Sequence, residues 1–171
     1  MDAVKTYDYL VIARKKVLGW ARGLTPEQYG RRFAIGPGSI ARTLTHMLIS
    51  EWYYVERLEG REVPPYAQWP IRDEEPLGFA VLEETWGAQA PRTRATLAGV
   101  RDWDAVLVYD NTSDEGKREI IRATRGDIAT QLVLHEVHHR AQVMNMLRQL
   151  GVTLEDIDFN AFMYGRTPVA G

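Results

Sequence analysis

The stretch TRGDIATQLVLHEVHHRAQVMNMLRQLG, residues 124–151, constrains this chain more than any other. Thr124 or Asp127 supplies a helix cap, and Gly151 supplies the stop. Between them Ile128, Leu132, Val143, Met146 and Leu150 fall on one side of a helix turning about 100° per residue. Such a stripe is stable only when other helices cover it, so the rest of the chain has to provide them.

The rest of the chain does so. Tyr7, Leu10, Val11, Val17 and Leu18 give helical spacing over residues 3–22, with Arg14 at the edge of the stripe. Thr25, Pro26 and Gln28 form a capping-box signal for a short helix that Gly30 ends. Ser39 caps a further helix that runs to about Gly60. Residues 61–76 hold Pro64, Pro65, Pro70 and Pro76 around Trp69, the composition of a surface connection pinned by an aromatic ring. A helix follows from Leu77 to Val100, and Gly87 and Pro91 inside it predict a kink or two segments. Val106–Tyr109 and REIIRAT flank the turn-forming DNTSDEG and predict a β-hairpin. A tail carrying Phe159, Phe162 and Met163 adds a short packed helix. The expected fold is all-α, a four-helix bundle with a small β-hairpin before the last long helix, in a single domain over residues 1–171.

Composition narrows the function. The 171 residues are 45% apolar, carry a net charge of -2 and include no cysteine. No positive field draws nucleic acid, and ARKK and GRR read as solvated helix faces. No run approaches the length of a membrane span. The first residues lack the basic and apolar regions of a secretory signal, so the expected location is cytoplasmic. Without cysteine, a transition-metal site has to use imidazole, carboxylate or water.

Three of the four histidines lie in HEVHHRAQV. His135 and His139 are one turn apart and phase with the core stripe, while His138 turns toward its edge. Two core imidazoles are costly unless something accepts both lone pairs, and a divalent cation does. HEVHH also matches the H-E-x-x-H zinc-protease string, which would make Glu136 a general base. No later histidine completes that motif, and Glu136 falls off the centre of the stripe. His46, in RTLTHMLIS, reads on its own as a half-buried histidine with ordinary hydrogen bonds. It becomes a candidate third ligand because no other histidine lies outside the last helix. Three ligands would leave open positions, as in catalytic sites. Gln142, Ser50, Glu51, Tyr53 and His138 are candidates to orient the ligands or shape the pocket. Trp52, Trp69 and Tyr164 are further candidates for the pocket wall, or ordinary anchors. Three imidazoles suit zinc, nickel, iron and copper alike.

LTHMLISEWYYVERLEG and LVLHEVHHRAQVMNMLRQLGVTLEDIDF together resemble the DinB/YfiT-like family of metal-binding four-helix bundles. The second stretch is similar to that family's H-x-x-x-H-R-G-Q helix, with Ala141 where glycine is usual. The resemblance implies a metal triad of His46, His135 and His139, binding zinc, nickel or a related divalent ion. It implies a metal-dependent small-molecule hydrolase or a transferase of a low-molecular-weight thiol, commonly homodimeric. The alternative is a non-catalytic stress-response protein that binds metal or a small molecule.

Overall fold

The first helix, α1 (Ala3–Ala21), starts where the Asp2 side chain accepts a hydrogen bond from the Lys5 backbone N–H. In this computed structural model, which describes residues 2–112 and 117–167, α2 (Pro26–Gly30) follows with the complete Thr25–Gln28 capping box. Ser39 caps α3 (Ile40–Leu58) through the Arg42 backbone N–H. After the Pro-rich connection come α4 (Phe79–Gly99) and the strands β1 (Val106–Thr112) and β2 (Arg118–Thr124). The long α5 (Arg125–Gln149) and the short α6 (Phe159–Met163) complete the order.

The protein is mostly helical with one two-stranded antiparallel sheet. α3 packs against α5 and α4, and α1 packs against the same two helices. Leu10, Leu44, Leu82 and Leu147, one from each long helix, are fully buried where they meet. α6 folds back onto α1, with Phe159 edge-on to Tyr9 at 5.1 Å. The hairpin pairs Tyr109 with Ile121, and the Arg57 guanidinium lies 4.1 Å over the Tyr109 ring. Part of the DNTSDEG turn expected from sequence, residues 113–116, lies outside the described residues.

Three expectations need correction. α4 is one continuous helix with Pro91 inside it, not two segments. Gly87 and Pro91 both lie on its exposed face, where water can satisfy the carbonyl that proline leaves without a donor. Arg14 is central to the core, only 4% exposed. The buried face of α5 is wider than expected. Ile128, Leu132, Val143 and Met146 are buried as the periodicity predicts, and Glu136, Arg140 and Leu147 are buried with them, while His135, His139 and Leu150 are half-buried beside them. α5 faces two helices at once. Glu136 and Arg140 point to α1, and the histidines point to α3. The cap of α5 is Thr124, with Asp127 at the third helical position completing a capping box.

Candidate metal centre

α3 and α5 lie side by side, which brings His46 across to the His135–His139 pair. One ring nitrogen from each residue lies within 4.8 Å of the others. His46 Nε2 and His135 Nε2 are 3.1 Å apart. The His139 ring centre is 4.7 Å from that of His46 and 4.4 Å from that of His135.

The outward nitrogens fix which atoms face inward. His139 Nδ1 is 2.8 Å from Gln142 Oε1, and Gln142 Nε2 is 2.9 Å from His138 Nε2. The amide N–H donates to His138, so Gln142 Oε1 accepts from the His139 Nδ1–H. That leaves His139 Nε2 with a lone pair directed at the cluster. On the other side, His46 Nδ1 faces Asp73 Oδ2 at 3.6 Å, so its Nε2 also points inward.

The Gln142 side chain lies against Gly36, whose φ is +48°. A Cβ at that position would lie 2.0 Å from Gln142 Oε1, so only glycine lets the loop approach this closely.

The donor set fits a divalent ion. Two imidazole nitrogens bound at ~2.0–2.1 Å are separated by ~2.9 Å at a right angle and ~3.4 Å at the tetrahedral angle. The observed 3.1 Å falls between these values. Burial and the neighbouring imidazoles His139, His46 and His138 push the His135 pKa down to about 3. Burial also lowers that of His139, opposed by its bond to Gln142. Both rings are therefore neutral at pH 7, the form that ligates metal.

The sequence pattern of the DinB family matches residues 1–169. The chain belongs to the DinB family. Over 165 residues this DinB-family chain is 22% identical to Protein DinB of Bacillus subtilis (strain 168), covering 95% of this chain and 94% of that protein. Its fold is similar to the crystal structure of a DinB-like protein from Bacillus cereus ATCC 10987. That match has a TM-score of 0.55 and 14% identity, over 84% of this chain and 89% of the other.

The other candidates separate. His138 is exposed, lies edge-on to the His139 ring at 4.9 Å and accepts from Gln142, outside the group of three. Ser50 is half-buried one turn beyond His46. Tyr53 stacks on Trp69 at 5.3 Å and serves to pin the loop, as does Trp52 at 5.4 Å. Tyr164 sits against Phe159 on the C-terminal turn.

Glu51 and Glu136 do not attend the histidines. Arg14 bonds Glu51 at 2.6 Å and Glu136 at 2.5 Å. Glu51 also accepts from Tyr7, Trp86 and Thr93. Glu136, expected off the centre of the stripe, is thus the buried partner of an arginine on α1. Burial raises its pKa against the pull of Arg14. Asp73, Tyr66 and Gly36 were missed from sequence. Gly36 carried a signal only as a chain breaker in IGPGS, and Asp73 and Tyr66 carried none, lying in a loop without a motif.

Proposed function

We propose that this protein binds one divalent metal ion, zinc or nickel before iron or copper, through His46, His135 and His139. On this reading it is a metal-dependent enzyme acting on a small molecule. The observation that carries the proposal is the convergence of three imidazole nitrogens within 4.8 Å, two of them on rings whose Nδ1 faces an outer partner. The four long helices are read as one four-helix-bundle domain over residues 1–171, with the site between α3 and α5.

When bound, the ion would polarise an electrophile or lower the pKa of a water or thiol. The chain's own residues hold and orient. His46, His135 and His139 present neutral nitrogens, and Gln142 locks the ring of His139. Glu136 faces away against Arg14 and supplies no general base at the cluster, which removes the zinc-protease reading. With no cysteine, a sulfur nucleophile has to be a low-molecular-weight cellular thiol. Transfer of such a thiol to an electrophile and hydrolysis of a small substrate are therefore the two reactions proposed.

Turnover of an electrophilic substrate, followed with and without added thiol by the zinc- or nickel-loaded protein, separates them. Thiol-dependent loss of the electrophile supports transfer, and thiol-independent loss supports hydrolysis. An unchanged rate in His139→Ala would contradict metal-dependent catalysis by this site.

A further inference from the structure

The connection between α3 and α4 does more than cross the surface. It places one carboxylate beside the three-histidine cluster. Asp73 is only 9% exposed, although its neighbours in the loop are half-buried or exposed. Its Oδ2 atom faces His46 Nδ1 at 3.6 Å and accepts from Arg42 Nε at 3.3 Å. Arg42 and His46 are one turn apart on α3, so a single oxygen faces both. The other oxygen, Oδ1, lies 2.6 Å from the Tyr66 hydroxyl, and the Asp73 backbone N–H donates to that hydroxyl at 3.2 Å. Glu74 Oε2 is also 2.7 Å from it. Tyr66 belongs to a single 3-10 turn, Tyr66–Gln68, and its ring packs against Trp69 at 5.0 Å. Trp69 stacks on Tyr53 of α3 and donates to the Pro64 carbonyl at 2.9 Å. The carboxylate is therefore fixed at both oxygens, and its loop is fixed to the helix that carries His46.

A buried carboxylate facing the outer nitrogen of a ligating histidine orients the ring and makes its inner nitrogen a better donor. We propose that Asp73 is the positioning residue of His46, that Tyr66 holds Asp73 in place, and that the loop over residues 64–76 is thereby fastened to the metal centre. This rests on the metal-binding reading of His46, His135 and His139. Loop and metal are then coupled in both directions. What orders Asp73 tightens metal binding, and bound metal orders the loop by the same factor.

The test is a zinc dissociation constant, measured by competition with a chromophoric chelator on the full chain. The proteins compared are the parent, Asp73→Asn, Asp73→Ala, Tyr66→Phe and His46→Ala, each checked for native helicity without metal. Asp73→Ala is expected to weaken zinc ~10- to 100-fold, the usual effect of removing an outer partner. Asp73→Asn, which keeps the volume and loses the charge, is expected to fall between it and the parent. Tyr66→Phe is expected to weaken zinc several-fold. Hydrogen exchange gives a second readout. Zinc is expected to slow exchange at the Gln68 and Trp69 amides, which donate to Pro65 and Tyr66, in the parent and not in Asp73→Ala. If both Asp73 variants bind zinc as tightly as the parent while His46→Ala does not, this inference is overturned and the metal site stands. If the parent does not bind zinc, or His46→Ala binds it equally, the metal-site reading itself fails and takes this inference with it.

Discussion

Glu136 and His135 are adjacent in the chain, yet their side chains join two polar clusters of opposite character. On the α1 side, Glu51, Glu136 and Arg14 form a closed set with Tyr7, Trp86 and Thr93. Both oxygens of Glu51 accept two bonds each, and Arg14 lies 4.2 Å over the Trp86 ring. On the α3 side, His46, His135 and His139 bring one ring nitrogen each within 4.8 Å of the others, and the Nδ1 atoms of His46 and His139 face outer partners. A polar cluster that satisfies itself holds a fold together. One whose ring nitrogens gather at a single point could hold a metal ion.

The largest effect should come from breaking the closed cluster. Arg14→Met leaves two buried carboxylates without their cation and should cost ~3–5 kcal/mol of stability in urea unfolding of the metal-free protein. Adding Glu51→Gln and Glu136→Gln should recover part of that loss, because the charges that need pairing are gone. If Arg14→Met unfolds at the parent's urea midpoint, this cluster does not hold the fold.

The open cluster should respond the other way round. His135→Ala should weaken zinc by more than the ~100-fold upper range for an outer partner. Its metal-free stability should stay within about 1 kcal/mol of the parent, the usual size for a change outside the closed core. Chelator competition and urea titration on the same samples read both quantities. Equal zinc affinity in parent and variant would remove His135 from the ligand set.

Gly36→Ala probes the outer support of His139. The added methyl meets Gln142 Oε1 and demands a left-handed backbone, a cost of ~1–2 kcal/mol per non-glycine residue in that region. Zinc affinity should fall about tenfold as Gln142 leaves His139, at the low end for an outer partner. Unchanged affinity would show that Gln142 does not position that ring.

Acid should produce the smallest effect at neutral pH and a growing one below it. The His135 pKa is about 3 in the fold against 6.5 in the open chain. The unfolded chain therefore binds the proton more tightly. Its contribution to stability is present above pH 6.5 and is lost as pH falls toward 3. In metal-free protein, His135→Gln should flatten the slope of unfolding free energy against pH across that window. A slope unchanged by the substitution would assign the acid sensitivity elsewhere.

The same contrast explains how much was legible in the sequence. The helices were readable because caps and stops are local, as at Thr25–Gln28, Ser39 and Gly151. The His135–His139 pair was readable because a one-turn spacing is a property of one helix. The closed cluster was not, since Arg14 and Glu136 each register as polar in a hydrophobic pattern, and their pairing spans 122 residues. The apolar members Ile128, Leu132, Val143 and Met146 were legible, but the buried face of α5 extends to Glu136 and Arg140, which an apolar pattern does not register. Asp73 was hidden for a similar reason. Its partner His46 lies on a helix and its anchor Tyr66 in a loop, and no spacing rule links them.

On the proposed reading the open cluster binds metal and the closed one does not. The zinc dissociation constants of parent, His46→Ala and Glu51→Gln, compared at equal folded concentration, decide between the two clusters. The parent should bind one equivalent, Glu51→Gln should bind with nearly the parent's affinity, and His46→Ala should lose it by ~100-fold or more. Zinc bound equally well by His46→Ala would contradict the account.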